Sequence, residues 1–344
     1  MKKLLVIRND KIGDFMLCFP AFMMLKQSMP NIEITALVPN YTAPLAELCP
    51  AIDHLIIDNT DKQDPIAFKQ VQQAVQNGQF DAVICFVSSW YNAKLTWQSG
   101  IRYRLAPATK LFQFLYNHRL TQRRSQSIKA ESEYNLDLAR AFLIDHHMMP
   151  VEPQIPYLHF TDEIISYQKA KLAKNLAIST ASKWLFVHSS TGGSATNLSI
   201  AQYATLINGI QSAIKCQVIL TAGKGERERA VELAEKLTDQ NVVIYDKNDG
   251  LADFTRSLAC ADLFIAGSTG PLHIAGGLNI PTVGFYPSRL SATPRRWRPI
   301  NQVDKHLAFC PPSGKQCEMD LTLISIEQAL TSVIPFIKKM WQLS

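Results

Sequence analysis

The sequence predicts an α/β protein made of two doubly wound, Rossmann-like domains facing a central cleft. Three observations carry that expectation. Short apolar runs alternate with amphipathic stretches through both halves of the chain, as in βαβ units on a parallel sheet. The alternation lapses once, at the proline-bearing connection Met148-Met149-Pro150-Val151-Glu152-Pro153. A chain of 344 residues with 47% hydrophobic content is also long and apolar enough to fill two cores. The expected division is a first domain over 1–155, a second over 156–325 and a closing helix over 326–344.

In the first half, apolar runs at 4–8, 32–38, 54–57 and 82–87 have strand length. Amphipathic stretches at 20–27, 42–48, 65–76 and 131–142 read as the intervening helices. After the connection come 157–160 and a helix from Thr161 to about Leu176. A second series of strands follows at 184–188, 218–221, 242–245, 263–266 and 281–285. Its helices fall at 200–214, 226–237, 252–260 and 271–278, and the amphipathic tail from Ile326 to Trp341 forms the last one. In such folds ligands bind at the carboxyl ends of the strands.

The longest apolar runs are far short of a membrane span. The opening Met1-Lys2-Lys3-Leu4-Leu5-Val6-Ile7 is interrupted at once by Arg8, Asp10, Lys11 and Asp14, which argues against a signal peptide and for a cytoplasmic enzyme. Cys18, Cys49, Cys85, Cys216 and Cys260 lie in or beside apolar segments, as reduced core cysteines do. Cys310 and Cys317, near His306, do not have zinc spacing, so no metal site is expected. His146 and His147 read as a solvent-facing helix end. Trp90, Tyr91 and Trp297 are expected to pack, although aromatics beside basic loops can also stack on a sugar.

Net charge is +6 and unevenly spread. No acidic residue occurs over 82–130, where Lys94, Arg102, Arg104, Lys110, Arg119, Arg123, Arg124 and Lys129 all fall. A second acid-free loop, 287–298, carries Arg289, Arg295, Arg296 and Arg298. Such patches attract nucleic acid, anionic headgroups or a phosphorylated glycan. No nucleic-acid module accompanies them, so a nucleic-acid partner is not expected.

Residues 264–278 are the most informative stretch. An apolar strand is broken by Gly267-Ser268-Thr269-Gly270, and Pro271 stands where a first helical residue belongs. A helix start after a strand offers free N–H groups and positive dipole to an anion. Ser268 and Thr269 add hydroxyls, and His273 lies in the first helical turn. The plain alternative is an ordinary Gly-rich βα turn. At the first βα turn, Gly13 permits a tight bend and Asp14 stands at a helix start. Its carboxylate serves either as a helix cap or as a general base.

Arg8-x-x-x-Ile12-Gly13-Asp14 followed by Pro20-Ala21-x-x-x-Leu25-Lys26 resembles glycosyltransferase family 9, the heptosyltransferases of lipopolysaccharide core assembly. Ser268-Thr269-Gly270-Pro271-Leu272-His273-Ile274-Ala275 resembles that family's D-S-G-P-x-H-x-A diphosphate loop. Val187-His188-Ser189-Ser190-Thr191, Gly223…Glu226 and Pro281-Thr282-Val283-Gly284 fit in order and spacing, so the similarity spans nearly the whole chain.

The resemblance implies a GT-B fold, acceptor on the first domain and nucleotide sugar on the second, and inversion without a metal. The donor is ADP-heptose, with no further cofactor. Asp14 is then the base. Ser190, Thr191, Ser268, Thr269, Gly270 and His273 lie at the diphosphate, and Gly223, Glu226, Asp249 and Leu251 around the nucleoside. Gly13, Arg102, Arg104, Arg123, Arg295 and Arg296 are assigned to the acceptor, whose phosphates and Kdo carboxylates match the basic segments. The acceptor is the lipopolysaccharide core, reached by peripheral contact with the anionic cytoplasmic face of the inner membrane. Two departures stand out: the family's lysine after the Ser/Thr turn has no counterpart in Gly192-Gly193-Ser194-Ala195-Thr196-Asn197, and Ser268 replaces an acid. Lys224, Arg289 and Arg295 are the candidate replacement cations. A GT-B transferase using another nucleotide sugar, or a non-catalytic nucleotide-binding protein, are the competing readings.

Overall fold

The apolar runs form two six-stranded sheets, each parallel throughout the registered strand pairs of a computed structural model describing residues 1–58, 64–191 and 196–343. The chain divides into two compact units, Met1–Leu158 and His159–Ser344.

In the first unit the order along the chain is β1 (Lys3–Ile7), α1 (Ile12–Met16), α2 (Phe19–Ser28), β2 (Glu33–Pro39), α3 (Ala43–Ala46), β3 (His54–Asp58), α4 (Pro65–Gly78), β4 (Ala82–Cys85), α5 (Trp90–Gln98), β5 (Tyr103–Pro107), a 3₁₀ turn over Leu111–Leu115, β6 (His118–Leu120) and α6 (Glu131–Asp145). The sheet runs β3-β2-β1-β4-β5-β6. Strands β1, β2 and β4 are apolar apart from Lys3, Glu33 and Thr35, because helices cover both faces of a parallel sheet. Helix α2 is buried on most sides, packed against α6, where Asn135 donates to the Leu17 carbonyl at 3.0 Å. Asp64 and Ser89 cap α4 and α5 by accepting from the Ile66 and Asn92 N–H groups.

The second unit continues with α7 (Asp162–Leu176), β7 (Trp184–His188), α8 (Ile200–Ala213), β8 (Gln217–Thr221), α9 (Arg227–Ala234), β9 (Val242–Tyr245), α10 (Leu251–Leu258), β10 (Leu263–Gly267), α11 (Gly270–Gly277), β11 (Thr282–Phe285), α12 (Pro294–Trp297), β12 (His306–Phe309) and α13 (Ile326–Trp341). Its sheet runs β12-β11-β10-β7-β8-β9. A capping box formed by Ser199 and Gln202 opens α8, and Gln202 also donates to the carbonyls of Leu321, Thr322 and Ile324, holding the approach to α13. Ile326, Ala329, Val333, Ile337 and Trp341 make one buried stripe on α13. That stripe packs on α8, where Gly209 leaves room for Leu330. The closing helix is thus an integral part of the second unit.

Several elements differ from the expectation. Strands β5, β6 and β12 and helices α5 and α12 were not anticipated. The five cysteines read as core residues are free and buried. Among the described residues no helix is long and apolar enough to cross a membrane.

Candidate active site

In each sheet the strand order reverses beside the unit's first strand, between β1 and β4 and between β7 and β10. These switch points are where open α/β sheets bind ligands, and the loops leaving all four strands carry polar residues.

At the first switch point, Arg8 leaves β1 almost fully buried, 3% exposed. Its Nε donates to Asp10 Oδ1 at 2.8 Å, Nη2 to Asp14 Oδ1 at 2.5 Å, and Nη1 lies 3.5 Å from Glu131 Oε1. Glu131, the first residue of α6, also accepts from Arg124 at 2.6 Å. Burial would pull the Arg8 guanidinium down, but Asp10 and Asp14 more than offset it, and its pKa lies well above the ordinary value. Burial, reinforced by Asp14 and only partly opposed by Arg8, holds the Asp10 carboxyl above the usual range. Asp14 itself lies in α1 with its side chain 17% exposed. It makes no cap hydrogen bond, and among the described residues its Oδ2 has no hydrogen-bond partner. The capping role is therefore not the one it plays.

Behind this cluster lies a second polar layer. Asn9 donates to Asp58 Oδ2 at 2.5 Å and exchanges hydrogen bonds with Asn92 at 2.9 and 3.0 Å, and Tyr91 donates to Asp58 Oδ1 at 2.6 Å. The layer ties the exits of β1 and β3 to the start of α5.

At the second switch point, β10 ends at Gly267 and α11 starts at Gly270, with Pro271 in its first turn. Thr269 is the N-cap residue but its hydroxyl makes no cap bond. Thr269 Oγ1 and His273 Nδ1 are buried and, among the described residues, unpartnered. Burial pushes His273 down to about 4, so it is neutral near pH 7. Two buried polar atoms at a helix start are able to hydrogen-bond a ligand there. Ser190 is buried at the exit of β7, and Thr191 follows it.

The floor of this turn is rigidly tied. Asn197 Nδ2 donates to the Ser189 carbonyl at 2.7 Å, while its Oδ1 accepts from Tyr203 at 2.8 Å and from Leu198 N–H at 3.0 Å. Gly267 is required there, since a Cβ would stand 2.6 Å from Asn197 Oδ1. Arg229 reaches across from α9 to the carbonyls of Ser189 and Leu198 at 2.8 and 3.0 Å.

At the exit of β8, Glu226 accepts from the Gly223 N–H at 2.7 Å and lies 3.7 Å from His188 Nε2. Burial outweighs Glu226 and lowers the His188 pKa. Asp249 and Leu251 stand at the exit of β9 and the start of α10. Asp249 pairs with Lys171 at 3.0 Å, and Lys171 is also 2.8 Å from buried Asp253.

The structure therefore gathers Ser190, Thr191, Gly223, Glu226, Asp249, Leu251, Ser268, Thr269, Gly270 and His273 along one sheet edge. Gly192, Gly193, Ser194 and Ala195, where the family lysine is missing, lie outside the described residues. Arg295, exposed, and Arg296, whose guanidinium stands 5.2 Å above the Trp297 ring, occupy α12 after β11 leaves the same edge.

The acceptor assignment needs correction in the first unit. Gly13 adjoins Asp14, and Arg123 is exposed just after β6. Arg102, however, precedes β5 and so stands at the amino edge of the sheet, opposite Asp14. Arg104 uses its guanidinium on the carbonyls of Leu115 and Ile101, at 2.9 and 2.5 Å, fixing the loop after β5. Glu131 and Arg124, which the sequence did not place at this site, join the Asp14 cluster through Arg8, and Asn9 belongs to the layer behind it. A buried arginine at a strand end signals that partners must exist, but not which ones. His146 is also corrected: its ring packs on Tyr103 and Phe142 rather than facing solvent. His306 is partly buried and hydrogen-bonded with Thr282 and Tyr286, and no cluster of potential metal ligands occurs among the described residues.

Two parallel six-stranded sheets of the same strand order, each with polar residues at its switch point, are the architecture of a GT-B glycosyltransferase. The sequence profile described as Glycosyltransferase family 9 (heptosyltransferase) matches residues 68–321, and the chain belongs to that family. A relative from Haemophilus influenzae, named as a glycosyltransferase, is 60% identical over 100% of this chain and 99% of its own. The solved family 9 glycosyltransferase from Veillonella parvula superposes with a TM-score of 0.82 at 14% identity, covering 98% of each chain. The structure of E. coli ADP-heptose lps heptosyltransferase II superposes at 0.77 with 17% identity, over 98% of this chain and 99% of that one.

Proposed function

We propose that this glycosyltransferase moves heptose from ADP-heptose to the Kdo/heptose inner core of lipopolysaccharide or lipooligosaccharide, inverting the anomeric centre without a metal. The observation that carries the reading is the Asp14 carboxylate, fixed through one oxygen by buried Arg8 and leaving the other to accept a proton. In the proposed step an acceptor hydroxyl loses its proton to Asp14 as its oxygen bonds to the anomeric carbon. The bond from that carbon to the diphosphate oxygen breaks, and the electron pair leaves on ADP. The first turn of α11, Thr269 and Ser190 supply donors for the developing charge, the preorganised stabilisation such a step needs. Membership of the heptosyltransferase family supports the sugar, and the named donor of the E. coli relative supports ADP-heptose. Contact with an anionic inner-membrane surface on its cytoplasmic side follows from the same acceptor.

The replacement of an acid by Ser268 and the absence of a lysine over 192–197 favour one second reading, a different sugar on the donor. Arg295 and Arg296 are the proposed compensating cations, since guanidinium groups bind phosphate or carboxylate in bidentate fashion. Thermal stabilisation by a panel of nucleotide sugars separates the readings. The first predicts the largest shift with ADP-heptose; a larger shift with a hexose donor supports the second.

A further inference from the structure

The apolar surface between β4 and β6 has no role in the chemistry proposed above. After β5 the chain forms the Leu111–Leu115 turn, which packs on α5. A 3₁₀ turn has three residues per turn, so residues three apart lie on one face. Leu111 and Phe114 occupy that face and are 95% and 68% exposed. Phe112 and Leu115 turn the other way, onto the core. Trp90, the first residue of α5, is 57% exposed and meets Phe112 edge to face at 6.2 Å, so the packing expected of it is only partial.

Three large apolar side chains thus stand outward around one partly buried ring. Isolated exposed apolar residues are ordinary, but a contiguous group of this kind marks an interaction surface. What surrounds the group selects the partner. It lies within the acid-free segment, and Lys110, Arg119 and Arg123 beside it are all exposed. Among the described residues none of these three forms an ion pair. Trp90 and Lys110 follow the exits of β4 and β5, so the group borders the sheet edge that carries Asp14.

We infer that Trp90, Leu111 and Phe114 insert into an anionic lipid surface, held there by Lys110, Arg119 and Arg123. Apolar side chains entering the acyl boundary and cations at the headgroups are the two signals that stable peripheral binding needs. The inference rests on the proposed membrane-borne acceptor for its biological purpose, since it brings a lipid-anchored glycan to the edge that holds Asp14. Binding itself is read without donor or acceptor.

The test is sedimentation of the full chain with vesicles of phosphatidylcholine alone and with added phosphatidylglycerol. Wild-type protein is expected to bind the anionic vesicles and to release from them as salt rises. Leu111→Ser with Phe114→Ser should weaken partitioning about tenfold or more, given the apolar area lost. Lys110→Ala or Arg119→Ala should each weaken it about fivefold. Brominated lipid should quench tryptophan fluorescence in the wild type and quench it markedly less in Trp90→Phe. Because all these side chains are exposed, unchanged thermal unfolding separates lost binding from lost fold. Failure of the wild type to bind anionic vesicles, or full binding by the double serine variant, overturns the inference. Transfer to a delipidated, water-soluble core acceptor tests the transferase reading separately, and the double serine variant is expected to retain it.

Discussion

Arg8 and Asp14 are joined by a 2.5 Å charge-assisted hydrogen bond at the carboxyl end of β1, with Arg8 also holding Asp10. The guanidinium is buried while the Asp14 carboxylate remains partly open, so the pair fixes the carboxylate without closing it off.

Asp14→Asn keeps the shape of the side chain and removes its ability to take a proton. Turnover is expected to fall about 10²–10⁴-fold, the usual cost of losing a general base. Donor affinity should be unchanged, because the residues proposed to hold the donor belong to the second unit. Steady-state kinetics with calorimetric ADP titration check both halves. Turnover within a factor of a few of wild type removes Asp14 from the chemistry.

Arg8→Lys retains charge but cannot reach three carboxylates with a planar fork. With the guanidinium gone, Asp14 loses the 2.5 Å hydrogen bond that orients its carboxylate, so turnover should drop while the donor Michaelis constant is unchanged. Normal turnover shows Arg8 to be structural only.

Much of this arrangement was legible in the sequence, and the reasons are specific. Strands β1, β2, β7 and β10 are buried but for Lys3 and Glu33 at their starts, so their residues form mostly apolar runs. Gly13, Gly267, Gly270 and Pro271 punctuate the two turns that matter. Strands β5, β6 and β12 were hidden because they lie toward or at sheet edges, where half-exposed Tyr103, Arg104, His118 and His306 break the pattern. Glu131 and Arg124 could not be joined to Arg8 because the fold alone brings together residues 123 positions apart. Trp90 read as a packing residue because exposure of one aromatic leaves no mark on periodicity.

Gly267→Ala tests the floor of the donor turn. The new Cβ would stand 2.6 Å from Asn197 Oδ1, displacing the side chain that links Ser189, Leu198 and Tyr203. The Michaelis constant for the donor is expected to rise about tenfold, equivalent to about 1.4 kcal/mol, with the acceptor constant little changed. An unaltered donor constant separates this floor from donor binding.

Histidines of the second unit make its stability depend on pH. Burial lowers His273 to about 4 and His306 to about 3, and it also lowers His188. His273 and His306 are therefore neutral in the fold near pH 7, whereas in the unfolded chain they take up protons below about pH 6.5. Their contribution is full above about 6.5 and is lost as pH falls toward the folded values, at about 1.4 kcal/mol per pH unit for each. Urea midpoints should decline between about pH 7 and pH 5, and His306→Gln should reduce the slope. A flat dependence, or an equal slope in the variant, contradicts this origin.

Direct transfer bears most closely on the central claim. Purified protein is incubated in excess EDTA with ADP-heptose and a heptose-deficient lipopolysaccharide, and the acceptor is weighed by mass spectrometry as ADP is quantified. The account predicts one added heptose per ADP released, with inverted anomeric configuration by NMR and no product from Asp14→Asn. No transfer from ADP-heptose while another nucleotide sugar is consumed, or activity that returns only with added Mg²⁺ or Mn²⁺, would contradict it.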